Sequence, residues 1–482
     1  MNGVWSSVIE PNSKMERLYE AIQQKKVLSD EDAKAYFEAI NEDASTLPNI
    51  KNKLKERLLD AVFLLDFKDS SFSNRQKAFY ECHKKWAAGM ILLIRNLKIS
   101  GIDLLEKLLR HTIRFEFTEL TLDILRVLRL QYSTVDGDFK KYQQVRDQFR
   151  QYETIWMMEN KAEDYYADLM SHFTNSKASK TELTDQAIGY YHELEPFLKE
   201  CEAFKLHLFG RLIHLMVHSI GNDYAATAKL CEEAIAFFDK KDYNSGLPLQ
   251  VFYYNLIVSY LQLREFEKGQ VIINRSEQFF EEGSFNWFKL QELFFQLAMH
   301  SGHYNEAYAI YQKVSEHPRF PAMLPQITEM WTIFQAYLYY LIKIGHVSDD
   351  AKLSKFRINK FLNEIPLFSK DKAGMNIPIL IVQVLHTIAD RDYDKSIDRI
   401  EGIEKYCTRY LKDKTTYRSN NFIKMMLQIP NAMFQRDDAE RKAGKYFQNL
   451  QKTPLEVANQ THEVEIIPYE ALWSLTLETL KK

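Results

Sequence analysis

The stretch Gly302-His-Tyr-Asn-Glu-Ala-Tyr-Ala-Ile-Tyr-Gln-Lys-Val314 decides how this chain is read. A glycine is followed by an aromatic, an alanine three residues later, then Tyr311 and Val314. The spacing predicts one amphipathic helix that begins just after a turn. The same aromatic-x-x-small pattern recurs as Tyr224 to Thr227, Phe266 to Gly269 and Tyr393 to Ser396. The small residues Thr227, Gly269, Ala307 and Ser396 are separated by 42, 38 and 89 positions, the last interval fitting two units with a poorly marked one near 353–365. Each pattern follows a more apolar helix, such as FYYNLIVSYLQL or LQELFFQLAMH. Helix, turn, helix at roughly 40 residues is the signature of stacked helix pairs. Single pairs cannot bury their apolar faces, whereas stacked pairs share one seam. Small residues at Gly269, Ala307 and Ser396 let the backbones approach.

These pairs resemble tetratricopeptide repeats. In one unit, Tyr253, Leu256, Tyr260, Gly269 and Ser276 stand at consensus positions. In the next, Phe294, Ala307, Tyr311 and Val314 do. Ile257 and Phe295 replace the consensus glycine, and the closing proline is missing, with Pro318 nearby. The resemblance covers about 200–410. It implies an all-α fold, an α-α superhelix of the α-solenoid type. Lys14 to Val62 and Tyr417 to Leu427 also resemble segments of a group of bacterial helical-repeat proteins with no assigned activity. That likeness supports fold and not function.

Composition agrees. The chain has 482 residues, too many for one ordinary core of about 250–300. With 15 glycines and 12 prolines it is poor in turn formers. Four regions are expected: an N-terminal helical region (1–70), a helical array with one long helix (71–199), the repeats (200–457) and a C-terminal capping segment (458–482). The long helix is FKKYQQ to SHF, about 35 residues. Ser29 with Asp32 predicts a capping box. NEDAS at 41–45 and SDDAK at 348–352 read as capping turns.

A net charge of -3 advertises no nucleic-acid field. Cys82, Cys201, Cys231 and Cys407 are far apart, which does not read as a disulfide framework. The N-terminus lacks the pattern of a secretory signal, and no apolar run approaches the roughly 20 residues needed to span a bilayer. A cytoplasmic protein without a membrane role is expected.

No catalytic motif appears, so no catalytic, cofactor-binding or metal residues are assigned and a non-enzymatic role is expected. His192-Glu-Leu-Glu-Pro196 begins like a zinc motif but ends in proline, expected to break the helix. His207, His214 and His218 share a helix face, and only the 214/218 pair could hold one ion. The plainer reading is a polar stripe.

By the resemblance, the first helix of each pair lines a concave groove. That puts Tyr254, Val258 and Leu261 beside Lys289, Glu292 and Gln296, a surface for an extended peptide or partner helix. Val258 stands where carboxylate-clamping repeats carry asparagine, so that ligand is not expected. The chain's own helices covering this face is the open alternative. A possible basic patch, Lys405, Arg409, Lys412, Lys414 and Arg418, interleaves with tyrosines and fits either single-stranded nucleic acid or a solvated face. The expected function is a scaffold that binds a protein or peptide. The alternative is a peptide-sensing or nucleic-acid-binding regulator, with Lys51, Lys53, Lys55 and Arg57 in its N-terminal unit.

Overall fold

The computed structural model describes residues 13–63, 74–175, 180–243, 246–348, 376–410, 417–453, 455 and 465–481. Among them the chain is helical throughout, without a strand, and each helix packs on its sequence neighbours in the manner of an α-solenoid. The expected unit near 353–365, the turn at 348–352 beyond Ser348 and most of the polar joints lie outside the described residues. The chain forms two compact units, Met1–Trp156 and Met157–Lys482.

The first unit opens with α1 (Lys14–Gln23), α2 (Asp30–Ala39) and α3 (Leu47–Val62). The capping box at α2 is present. Asp32 N–H donates to Ser29 Oγ at 3.1 Å, and Ser29 N–H donates back to Asp32 Oδ2 at 2.9 Å. These donors, with the Leu28 N–H foremost, hold the Asp32 carboxyl below the usual range. Asp43 caps the turn at Ala44, as NEDAS predicts. Leu18, Ala21, Phe37, Leu47 and Leu54 form a small core.

Then come α4 (Asn74–Ile94), α5 (Lys98–Arg114), α6 (Thr118–Leu130) and α7 (Phe139–Asn175). The expected long helix is α7, of 37 residues, and the division between the units falls inside it. The α4–α5 hairpin is tight because of two glycines. A Cβ on Gly89 would lie 2.8 Å from Leu105 Cδ2, and one on Gly101 would lie 2.8 Å from Leu93 Cδ2.

The second unit continues with α8 (Lys180–Glu200), α9 (Phe204–Ile220), α10 (Tyr224–Asp239), α11 (Leu247–Leu263), α12 (Phe266–Ser276), α13 (Phe285–His300), α14 (Tyr304–Ser315) and α15 (Pro325–Lys343). It ends with α16 (Asn376–Ala389), α17 (Tyr393–Tyr410), α18 (Tyr417–Met426), α19 (Arg436–Gln451) and α20 (Tyr469–Thr479). Pro196 does not break α8, which runs on to Glu200. It lies inside the helix, and α8 ends four residues beyond it.

The stretch at 302–314 is the second helix of a pair. Gly302, at φ +77°, makes the left-handed turn, and His303 N–H closes it on Ala298 O at 2.9 Å. Ala307 and Val314 are fully buried, and Tyr304 and Tyr311 pack on the same core. At the preceding pair, a Cβ on Gly269 would lie 2.3 Å from Leu297 Cδ2, so a side chain there would force α12 and α13 apart.

The C-terminal segment does more than close the last pair. Ile466, Ile467 and most of α20 are buried in the same core as α13 and α15. Arg418 of α18 is 0% exposed. Its guanidinium donates to Glu465 at 2.6 and 3.0 Å, to Glu470 at 2.8 and 3.0 Å, and to the carbonyls of Thr453 and Leu450 at 2.6 and 3.2 Å. Tyr469 N–H also donates to Glu465, at 3.0 Å. Burial pushes the Glu465 carboxyl up, against the opposing pull of Arg418. At Glu470 burial acts the same way, but Arg418 outweighs it and the carboxyl lies below the usual range. Replacing Arg418 by Ala leaves two carboxylates without their counter-charge. We expect R418A to lose about 3–5 kcal/mol in denaturant unfolding. A loss under 1 kcal/mol would mean the network is dispensable.

Candidate interaction surfaces

The face at which the sequence places a groove is only partly open. Helices α11 and α13 do lie side by side, and Tyr254 sits near Lys289 and Glu292. However, Leu261 is 4% exposed and Glu292 is 8% exposed. Lys289 Nζ is tied to Glu292 Oε2 at 2.7 Å. Tyr254, Val258, Lys289 and Gln296 keep some access. The row Glu292, Gln296, His300 continues along one face of α13 at i, i+4 spacing. His300 is buried there and donates from Nε2 to Glu465 O at 2.6 Å. The end of that face is therefore occupied by the chain's own C-terminal segment. Of the six expected groove residues, Leu261 and Glu292 are buried.

The basic stretch is also reduced. Arg418 belongs to the buried network and cannot serve an exposed patch. A surface site needs its charges in water, whereas this guanidinium is spent on two carboxylates and two carbonyls. Lys405 is exposed and pairs with Glu401 at 3.9 Å. Lys412 and Lys414 lie outside the described residues, as does the side chain of Arg409.

His207, His214 and His218 part company. His207 Nε2 donates to Cys201 O at 2.9 Å, and its ring stacks on Phe237. His214 and His218 face each other with Nε2 atoms 3.1 Å apart, and Tyr191 stacks on His214. Among the described residues no group of three His, Cys, Asp or Glu side chains could hold a metal ion. Burial raises the Cys82 and Cys231 thiols to about 11 and about 12, far from nucleophilic use at neutral pH.

Exposed apolar surface is concentrated elsewhere. Among the described residues, fourteen of the twenty-two large hydrophobic side chains left exposed lie at or before Trp156, in the smaller unit. Part of this surface is a cavity of about 650 Å³ between α1, the start of α2 and α3. Its walls include Leu18, Ile22, Leu28, Leu54, Leu59 and Val62, with Lys51 and Lys55 at the rim. Leu28 is 80% exposed and Leu59 is 58% exposed. Lys51 reaches Asp30 at 2.5 Å across one end. In the sequence, Leu58, Leu59, Val62 and Leu65 recur at helical spacing as one apolar stripe, of which Leu65 lies outside the described residues. The available signal was that α3 has two apolar faces: Leu47, Leu54 and Ala61 turn inward, while Leu59 and Val62 do not.

No protein-family model, curated protein or solved structure is significantly similar to this chain. Among the described residues no helix is long and apolar enough to cross a membrane.

Three deeply buried histidines set a pH response. His207, His300 and His386 each place Nε2 on a backbone carbonyl, those of Cys201, Glu465 and Ala336. Burial, first of all, lowers each to about 4 from 6.5. Around His300, Arg264 and Arg418 add to this and Glu470 opposes it. The unfolded chain therefore binds more protons between these values. Their stabilisation is complete above about pH 6.5 and falls as the pH drops toward 4, by roughly 3 kcal/mol for each histidine. H300Q keeps a donor for the Glu465 carbonyl. It is expected to flatten the fall in Tm between pH 6.5 and 4, and an unchanged slope would refute this role for His300.

Proposed function

We propose that this chain is a non-enzymatic interaction protein, built of tetratricopeptide-like helix pairs, that receives an amphipathic helix of a partner protein. The groove of α1–α3 carries the reading. The pair seams at Gly269, Ala307 and Ser396 support the repeat class: Gly269 admits no side chain, and the other two are fully buried.

The groove fits a helix better than an extended strand. It has no free sheet edge to pair with a peptide backbone. Its α3 wall from Lys51 to Val62 is about 16 Å long at 1.5 Å per residue, the length of three helical turns. A partner helix with apolar residues at i, i+3 or i+4, and i+7 would cover Leu59, Val62 and Ile22. An acidic residue on its flank would complement Lys55. Such apolar contacts at a groove centre supply most of the affinity of helix-in-groove complexes.

The test compares the full chain with L59D and with Y254A. Partners captured from the host are titrated against all three, and the contact is mapped by hydrogen exchange. The reading expects L59D to bind at least about tenfold more weakly, Y254A to bind like the parent, and the protected partner segment to be an amphipathic helix. Parent-like binding by L59D, or protection on α11 and α13 in place of α1 and α3, would overturn it.

A further inference from the structure

Two turns of the first unit share one backbone design and differ in what covers them. At the α4–α5 turn, Asn96 takes φ +61°, and Leu97 N–H donates to Leu92 O at 2.9 Å. At the α5–α6 turn, Glu116 takes φ +55°, and Phe117 N–H donates to Thr112 O at 2.9 Å. In both, the residue after the left-handed one is apolar and should fold back on the helix it leaves. Phe117 does so and is 6% exposed. Arg75 covers that turn, donating to Phe115 O at 3.1 Å and Glu116 O at 3.3 Å, with its guanidinium over the Phe117 ring. Among the described residues the α4–α5 turn has no such cover. Leu97 is 53% exposed, Ile91 is 54%, Ile94 is 80% and Ile99 is 90%.

This tip is stiff, since Gly89 and Gly101 bring its two helices into close contact. It is also basic. Arg95 and Lys98 are exposed, with no ion-pair partner among the described residues. No Asp or Glu occurs from Cys82 to Ile102. Asp103, the first acid beyond, is paired with Lys107 at 2.6 Å.

We propose that the α4–α5 tip docks this protein on an anionic lipid bilayer. Four aliphatic side chains would enter the acyl boundary while Arg95 and Lys98 stay among the headgroups. A protein pocket suits this patch less well. It holds no aromatic residue between Ile91 and Ile99 to act as a hot-spot anchor. A fluid bilayer takes up exposed aliphatic side chains without a matching pocket. The next turn on the same edge exposes Phe139 but carries Asp136 and Asp138, which an anionic surface repels, so the contact is confined to the α4–α5 tip. Such a contact is peripheral and requires no membrane-crossing helix.

The test is co-flotation of the full chain with vesicles of phosphatidylcholine alone, and of phosphatidylcholine and phosphatidylglycerol in equal parts. The parent should bind the mixed vesicles and release with salt. I94E and I99E, at positions already in water, should each bind at least about tenfold more weakly. R95Q and K98Q should each lose about fivefold and show a shallower salt dependence. L59D, in the helix groove, should bind vesicles like the parent, which separates this proposal from the groove reading. Absence of binding to the mixed vesicles would overturn the proposal. So would parent-like flotation of I94E and I99E, or a tip that drives self-association of the chain without vesicle binding.

Discussion

The second unit is organised around one buried cation. Arg418 sits in α18 with no exposure, and the acceptors of its guanidinium all come from the chain after it: Leu450, Thr453, Glu465 and Glu470. A guanidinium in such a place is costly unless each donor is met, and a planar fork suits two carboxylates and two carbonyls together. Glu465 in turn presents its carbonyl to His300, 165 residues earlier. One charge thus ties the last helix to the last pairs and reaches back to the middle of the unit. Phe422 stacked on Tyr469, with ring centres 4.4 Å apart, and the hydrogen bond between the Ser419 and Tyr469 hydroxyls lie beside it.

That constraint has a consequence for binding. A solenoid of helix pairs usually offers the inner face of its first helices to a ligand. Here α20 is buried on most of its circumference, and His300 joins its segment to the face of α13. The apolar surface left in water is instead concentrated on the smaller unit, where cores are small and one helix must serve two faces. The groove of α1–α3 and the α4–α5 tip differ in shape and charge. One is a trough with lysines at its rim, and the other is a basic turn.

Local features were legible in the sequence. The capping box at Ser29 and Asp32, the long helix from Phe139 and the glycine turn before Tyr304 depend on residues within a few positions of one another. The recurrence of Gly269, Ala307 and Ser396 disclosed the seams, because close helix crossings admit only small side chains. What stayed hidden was non-local. Arg418 stands among lysines and tyrosines and reads as a solvated cation. Its carboxylates are 47 and 52 residues away, and nothing in its own neighbourhood announces them. The burial of Leu261 and Glu292 was hidden too, and the segment that meets His300 on the same helix lies at the far end of the chain. Pro196 misled because a proline disfavours a helix without forbidding it, and α8 accommodates it inside its last turns. The pattern of helix pairs carried no sign of a terminal helix buried in the same core as α13 and α15.

Native-state hydrogen exchange on the full chain tests the central claim most directly, that the C-terminal segment is a structural member of the second unit. If it is, the amides of Leu472 to Leu477 exchange only through the same global opening as those of α13 and α15, and denaturant lowers both protections together. Exchange of α20 through a separate opening of much lower free energy, with α13 and α15 still protected, would contradict the account.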